Sequence, residues 1–383
     1  MAPALLLTAS MVGQSVPAED PTVPIDAENG FLQNQGALPR FQSANKISQD
    51  TLAAVARQRI ASVPHFSGSF PAEGKTFPFT LVGTPPRNGG TTQIPTQIIA
   101  VSLLFEGVLD KGGEPVILDP QPVLGRIQGS PNFRPYSYQT GLTQFADAVQ
   151  RAQFFRTMNQ DWHTLLSPPE MLRPVTIDVP AGMAKVYRNR ASGVTYAVVD
   201  TRFFLSHLNT VVQLEQMRPD ALVLILTANV LLAPLADVKQ CCLLGFHTAF
   251  AAGHVGRVQQ IQTLVWASWL DQGLFGNSIG DVTPMSHEIS EWMNNPFGTN
   301  IVPAWQPVGE SGGCHTNLET ADPVAALPNA GFPVSIDGFT FHPQTEVLLP
   351  WFTRQGSQDS IDGAFSFPDE TLVTEAARPC AAL

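Results

Sequence analysis

Proline is the feature of this sequence that most limits its fold. The chain has 33 prolines among 383 residues, and proline lacks the backbone N–H that a helix interior or a central strand needs. This frequency favours many turns and rigid loops over long helices. The hydrophobic fraction of 44% is nevertheless sufficient for a sizeable core, and the length predicts two domains.

The charge of the chain argues against nucleic acid as a partner. Charged residues make up 14% of the sequence and the net charge is −11, with the acidic residues spread along the chain instead of gathered in a tail. Binding to phosphates needs a basic face, and the sequence shows none. No apolar run approaches the roughly 18 residues of a membrane-spanning helix, so we expect no membrane span.

The N-terminus is typical of an exported protein. Residues 1–18 contain a short apolar run around Leu5 and end in small residues before Glu19, as the end of a secretory signal does. The basic region that begins such a signal is missing, and a plain disordered N-terminus is the alternative. We interpret 1–18 as the remnant of a signal and expect a secreted or periplasmic location.

The four cysteines allow three disulfide pairings. Because adjacent cysteines pair with each other only under strain, we expect one of Cys241 and Cys242 to pair with Cys314 and the other with Cys380 in an oxidising compartment. Buried free thiols are the alternative. No C-x-x-C spacing occurs, which argues against zinc ligation by these cysteines.

The order of predicted elements indicates an α/β (α+β) fold. Residues 19–60 read as a polar lead-in with one helical patch. Residues 61–190 form a β-rich N-terminal domain, with one helix predicted at 144–158. In residues 191–383 strand and helix patterns alternate, which predicts a mixed sheet. The elements predicted there are strands at 194–199, 221–232, 243–250 and 263–270, helices at 202–217 and 281–294, and strand-like pieces at 338–342 and 347–352.

The predicted helix at 281–294 carries the one recognisable chemical motif, His287-Glu288-Ile289-Ser290-Glu291. At about 100° per residue, His287, Glu288 and Glu291 lie on one face. Two ligands at positions i and i+4 converge on one ion, and the residue between them can aim at a water molecule. The motif therefore predicts a metal site with His287 and Glu291 as ligands and Glu288 as general base.

The position of His287, Glu288 and Glu291 on one face has a simpler explanation. An amphipathic helix with an acidic, solvated face would show it without any metal. The position of Glu291 is more commonly a histidine in such motifs, and a carboxylate makes the site harder. Zinc is the expected cofactor, with manganese or calcium as alternatives.

A third ligand is required to complete a zinc site. Glu319 follows the helix at a suitable interval, and Asp322 is placed to accept a hydrogen bond from His287 and so orient it. An acidic turn closed by a proline is the alternative for both. His247, on a predicted edge strand, and His342 are further candidates for contact with substrate or metal, and a structural role is the alternative for His247.

Several segments resemble a family of largely uncharacterised exported bacterial proteins that carry an H-E-x-x-E helix. The resemblance spans about 65–355, and the joint order of its segments is specific. It implies little about activity, because the peptidase-like label of the family rests on the same helix. The segments that carry the resemblance are 79–83, 143–152, 244–247, 286–292 with 295–297, and 318–319 with 322–323.

The order of elements is also distantly similar to that of zinc metallopeptidases. In those enzymes an edge strand binds the substrate backbone, and the resemblance implies this role for 243–250. The chain departs from the pattern because Glu291 replaces the second histidine and because the glycine-histidine continuation of the metzincins is missing.

Taken together, these features predict an exported metal-dependent peptidase that acts on a peptide or protein by means of a metal-activated water. The main alternative is a non-catalytic exported binding or surface protein in which the helix is a relic or holds a structural cation. A glycoside hydrolase that uses Glu288, Glu291 or Glu319 is a third class. Carboxylates at i and i+3 on one helix seldom face each other across a sugar ring, and no aromatic platform is evident.

Overall fold

The structure of the protein is a computed structural model. It describes residues 16–17, 61–214, 216–255, 258–275, 279–309, 314–354 and 359–380. Apart from residues 16–17, the predicted signal remnant and the predicted polar lead-in lie outside these ranges. Among the described residues, no helix combines the length and the apolar character needed to cross a membrane.

The described residues combine helices with several β-sheets, which confirms the predicted α/β (α+β) class. The helices are α1 Leu124–Gln128, α2 Phe145–Gln153, α3 Thr201–Leu214, α4 Thr283–Asn294 and α5 Leu349–Thr353. The strands are β1 Val16–Pro17, β2 His65–Ala72, β3 Lys75–Val82, β4 Thr91–Ile94, β5 Thr96–Leu109, β6 Pro115–Leu118, β7 Tyr136–Tyr138, β8 Gly141–Thr143, β9 His163–Leu166, β10 Glu170–Met171, β11 Val175–Val179, β12 Ala184–Arg188, β13 Thr195–Asp200, β14 Leu222–Ala228, β15 Val230–Ala233, β16 Gly245–Val255, β17 Val258–Trp269, β18 Ile301–Trp305, β19 His315–Asn317, β20 Val334–Ile336, β21 Phe339–Phe341, β22 Glu346–Val347 and β23 Ser366–Phe367.

One eight-stranded sheet organises the fold. Its strands follow the order β1-β5-β14-β17-β16, and β6, β10 and β11 also pair with β5. Strands β5, β14 and β17 run parallel, and β16 returns antiparallel to β17 at the end of the sheet. In the described part of the chain, β16 is therefore an edge strand, as predicted for this segment.

The centre of this sheet is covered on both faces. All 7 residues of β14 are buried, as expected for a parallel strand of continuous apolar character. Leu224 packs in one core with Ile289 of α4, whereas Val223 packs in another with Phe204 of α3. Full burial of one such side chain contributes about 1.5–3 kcal/mol. Helices α3 and α4 therefore lie on opposite faces of the sheet.

The sheet crosses the predicted domain boundary at residue 190. Strand β5 belongs to the segment 61–190 and β14 to the segment 191–383. The two strands nevertheless pair in parallel, with Leu222 opposite Thr96 and Leu226 opposite Ala100. Local patterns do not reveal which distant strands pair, so the sequence does not show that strands from these two segments share one sheet.

Two predicted strands differ in the structure. The run at 221–232 breaks at Asn229, whose φ of 55° turns the chain, and β15 beyond the break joins β13 in a separate sheet. The prediction of a strand-like piece at 347–352 was wrong for most of that segment, because Leu349–Thr353 form α5. Pro350 lies in the first turn of that helix, where its missing N–H has no cost.

The disulfide pairing also differs from the prediction. Cys241 pairs with Cys242, and Cys314 pairs with Cys380 across a Cα–Cα distance of 5.9 Å. The first pair is buried in a core cluster with Tyr187 and Leu270. Proximity in the fold, which the sequence does not reveal, brings the C-terminal segment back to Cys314.

Buried amide side chains hold the end of α4. The last carbonyl groups of a helix have no partner within it, and here Gln150 donates to the Met293 carbonyl and Asn300 donates to the Asn294 carbonyl. Asn300 also pairs with both the N–H and the carbonyl of Thr80 in β3. One amide thus links the helix end to a neighbouring strand.

Substitution of Asn300 tests this link. Asn300→Ala should lower the free energy of unfolding by about 2–4 kcal/mol, because it leaves buried backbone groups of Thr80 and Asn294 without partners. Asn88→Ala, at an exposed position, should change it by less than about 0.5 kcal/mol. Chemical denaturation of both variants measures the difference, and equal stabilities would contradict the structural role of Asn300.

Candidate metal centre

Helix α4, hereafter the site helix, is buried on both of its faces. Of its residues Thr283–Asn294, all but His287 are buried, and Glu288 and Glu291 are only 6% and 3% exposed. The alternative of an acidic face in solvent is therefore wrong. Carboxylates at such positions need a compensating partner, because burying an unpaired charge is costly.

The two faces of the site helix meet different surroundings. Ile289, Trp292 and Met293 enter the core against the central sheet. The opposite face, with the motif residues, meets the edge strand β16 and the segment that contains Glu319. The apolar stripe thus fixes the rotation of the helix, and this rotation points the motif residues at β16.

Gly245 makes the close approach of β16 to the site helix feasible. A Cβ atom at this position would lie 2.5 Å from Cγ of Glu288 and 2.9 Å from its Oε1. Any other residue would push the Glu288 carboxylate away. The absence of a side chain at Gly245 therefore sets the position of Glu288.

His247 of β16 lies among three carboxylates. Its Nδ1 is 3.3 Å from Oε2 of Glu288 and 3.7 Å from Oε2 of Glu291, and its Nε2 is 3.6 Å from Oε2 of Glu319. One ligand atom from each of His247, Glu291 and Glu319 lies within 4.8 Å of the others. These three residues form the first of two groups that could hold a metal ion.

His287 lies on the other side of Glu291. Its Nε2 is 3.4 Å from Oε1 of Glu291, 3.5 Å from Oδ1 of Asp322 and 3.9 Å from Oε1 of Glu288. His287, Glu288 and Glu291 form the second group within 4.8 Å. The structure therefore places His287 and Glu319 in different groups, and Glu291 belongs to both.

The carboxylates are oriented by donors from the chain behind them. Oε1 of Glu291 accepts hydrogen bonds from the N–H groups of Ala321 and Asp322, each at 3.1 Å. Oε1 of Glu319 accepts one from the side chain of Asn295 at 3.3 Å. Oε2 of Glu319 is buried without a hydrogen-bond partner. In both residues Oε2 is the oxygen that faces His247.

Gln344 orients His287. Its Nε2 donates to the carbonyl of Ala321 at 2.7 Å, so its Oε1 is the atom that faces Nδ1 of His287, at 3.1 Å. In this contact the N–H at Nδ1 of His287 donates to the amide oxygen of Gln344, which leaves Nε2 directed at the carboxylates. Gln344 thus contacts Nδ1 of His287, and Asp322, the residue predicted to orient this ring, faces Nε2.

The pKa values reflect this crowding. Burial acts to lower the pKa of His247, but Glu319, Glu288 and Glu291 stabilise its charged form and raise the pKa to about 9. Burial likewise opposes the charged form of His287, yet the neighbouring carboxylates hold its pKa well above the usual value. Burial raises the pKa of Glu288 and, more strongly, that of Glu319. Without a cation, protons have to balance the carboxylates.

Other predicted candidates lie away from the two groups. His342 pairs through Nδ1 with the buried carboxylate of Asp281 at 2.7 Å, just before the site helix. The four cysteines are paired with each other. Sequence reasoning gave no role to Gln344, which stands in no recognisable motif, or to Gly245, although Gly245 lies in the segment 244–247, and it left His247 as a secondary candidate.

Comparisons of the chain with protein-family models, with curated proteins and with solved structures give no match. The chemistry of the site is therefore the basis for its function.

The contact between Gly245 and Glu288 can be tested by one methyl group. Gly245→Ala should lower the free energy of unfolding by about 1–3 kcal/mol, because the new Cβ overlaps the Glu288 side chain. Gly125→Ala in helix α1 is the matched control, since a Cβ there meets nothing within 4 Å, and it should be neutral or stabilising by up to about 1 kcal/mol. Similar stabilities for the two variants would show that β16 and the site helix are not in this contact.

Proposed function

We propose that this protein is an exported metal-dependent peptidase. A divalent cation is bound by His247, Glu291 and Glu319, and Glu288 is the general base for the attacking water. This ligand set keeps two of the predicted ligands, Glu291 and Glu319, and replaces His287 by His247. Zinc is the proposed metal, and the disulfides fit an oxidising compartment.

The observation that carries the proposal is the carboxylate oxygen of Glu319 that has no hydrogen-bond partner. This atom, Oε2, is buried, while Oε1 of the same residue is held by Asn295. A carboxylate oxygen left in this way among Glu288 and Glu291 repels its neighbours unless a proton or a cation balances its charge, and a cation between them does so for several carboxylates at once. Imidazole nitrogen and carboxylate oxygens are accepted zinc ligands, so the donor set fits.

The roles of the residues follow from their positions. A bound cation supplies Lewis acidity, which lowers the pKa of water and polarises a carbonyl group. Glu288 lies beside the proposed ligands, with Oε2 3.3 Å from His247, and is placed to accept the proton of the attacking water. The donors behind Glu291 and Glu319 keep both carboxylates in place.

The edge strand supports a peptide as substrate. Within the described residues, β16 pairs only with β17, so its other edge can add an extended peptide by backbone hydrogen bonds. Gly245 and His247 belong to this strand. A peptide bound along it would pass next to the Glu288 carboxylate.

A second candidate is a non-catalytic exported protein with a structural cation. The side chains of Glu288 and Glu291 are only 8% and 5% exposed, which leaves a substrate little access. The more exposed Asp322, at 46%, marks the side from which a substrate would have to approach.

Two glutamate variants separate the candidates. Glu288→Gln should keep the metal and lower hydrolysis by a factor of about 10² or more, because the base is lost and the ligands stay. Glu291→Ala should lose the metal, because one of three ligands is removed. Elemental analysis and cleavage of a mixed peptide library, followed by mass spectrometry, measure the two properties.

Glu106→Gln is the control for these variants. Glu106 is an exposed residue of β5 and belongs to neither group of candidate ligands. The variant should keep both metal and hydrolysis. Wild-type protein that is fully metallated yet cleaves no peptide from about pH 5 to 9 would favour the structural cation, and metal-free wild-type protein would contradict both candidates.

A further inference from the structure

We propose that the site holds two divalent cations bridged by Glu291. The first is the cation of the proposed function, on which this inference rests. The second lies on the His287 side, bound by Nε2 of His287 and Oε1 of Glu291 and faced by Oε1 of Glu288. The two groups of ligand atoms that share Glu291 are the starting observation.

The distance between His287 and Glu291 is that of two ligands of one ion. Ligands 2.0–2.2 Å from a tetrahedral ion lie about 3.3–3.6 Å from one another. Nε2 of His287 is 3.4 Å from Oε1 of Glu291, inside this range. A charge-assisted hydrogen bond would be shorter, about 2.7–2.9 Å.

The orientation of His287 gives a second argument. Because Nδ1 donates its hydrogen bond to Oε1 of Gln344, the ring in its neutral form presents the lone pair of Nε2 to Glu291 and Asp322. A lone pair that faces two carboxylates is unfavourable unless a cation or a proton lies between them. A hydrogen bond from the other ring nitrogen of a ligating histidine is also the usual arrangement around bound metals.

The balance of charge gives a third argument. Glu288, Glu291, Glu319 and Asp322 contribute four carboxylates around the two imidazoles. One divalent cation and a protonated His287 would leave one of the four negative charges uncompensated in a largely buried cluster, whereas a second cation in place of that proton balances all four. Oε2 of Glu288 lies 3.3 Å from Nδ1 of His247, and its Oε1 lies 3.9 Å from Nε2 of His287. Glu288 therefore faces both proposed cations.

The two positions should differ in affinity. The first has three protein ligands, and the second has two with Glu288 nearby. Oε1 of Glu291 also accepts two backbone hydrogen bonds already, which weakens it as a ligand. We therefore expect two equivalents to bind in order, the tighter one on the His247 side.

The experiment is a titration of the metal-free full-length protein with Mn²⁺. Calorimetry measures the number of bound equivalents, and electron paramagnetic resonance measures whether the bound ions are coupled. Wild-type protein should bind two equivalents, and the second should convert the spectrum of isolated Mn²⁺ into that of a coupled pair, since bridged ions lie about 3.5–4 Å apart. His287→Ala should bind one equivalent with an uncoupled spectrum. His207→Ala, a histidine of α3 with a local backbone contact, should keep both.

The outcomes separate this inference from the proposed function. One equivalent in wild-type protein, with an uncoupled spectrum, would overturn the second cation and leave the peptidase proposal intact, with His287 as a protonated neighbour. No binding of Mn²⁺ or Zn²⁺ would overturn both. The stoichiometry and spectrum of the wild-type protein decide the matter even if His287→Ala does not fold.

Discussion

The burial of carboxylates on the site helix is the constraint on which the rest of the site depends. Glu288 and Glu291 lie between the central sheet and the segment around residue 320 with almost no solvent contact. In such surroundings a charge persists only when an opposite charge or several hydrogen bonds stabilise it. His247, His287, the N–H groups of Ala321 and Asp322 and the proposed cations are all means of meeting this requirement.

The fold supplies rigid support for this cluster. The site helix packs its apolar face on the central sheet, and amides from α2 and from Asn300 bind its last carbonyl groups. Its position relative to β16 is further limited by the contact of Gly245 with Glu288. Ligands held on a helix and a strand are more precisely placed than ligands on loops, as metal binding requires.

The site was only partly predictable. The i, i+4 spacing correctly indicated that His287 and Glu291 lie close together, because helical geometry is local. Glu319 was found from its interval, and it does reach the cluster. The grouping of Glu319 with His247 and the orienting role of Gln344 were not predictable, because they depend on how β16 and the segment near residue 344 return to the helix.

The sequence by itself determined the fold class, the site helix and the buried strand β14, because hydrophobic periodicity and continuous apolar runs are local properties. Only the tertiary structure decided the strand order across residue 190, the cysteine pairing and the partners of each carboxylate. These depend on contacts between residues far apart in the chain. The helical pattern also does not show whether the acidic face of the site helix lies in solvent or in the core. Packing on both sides of the helix decides this.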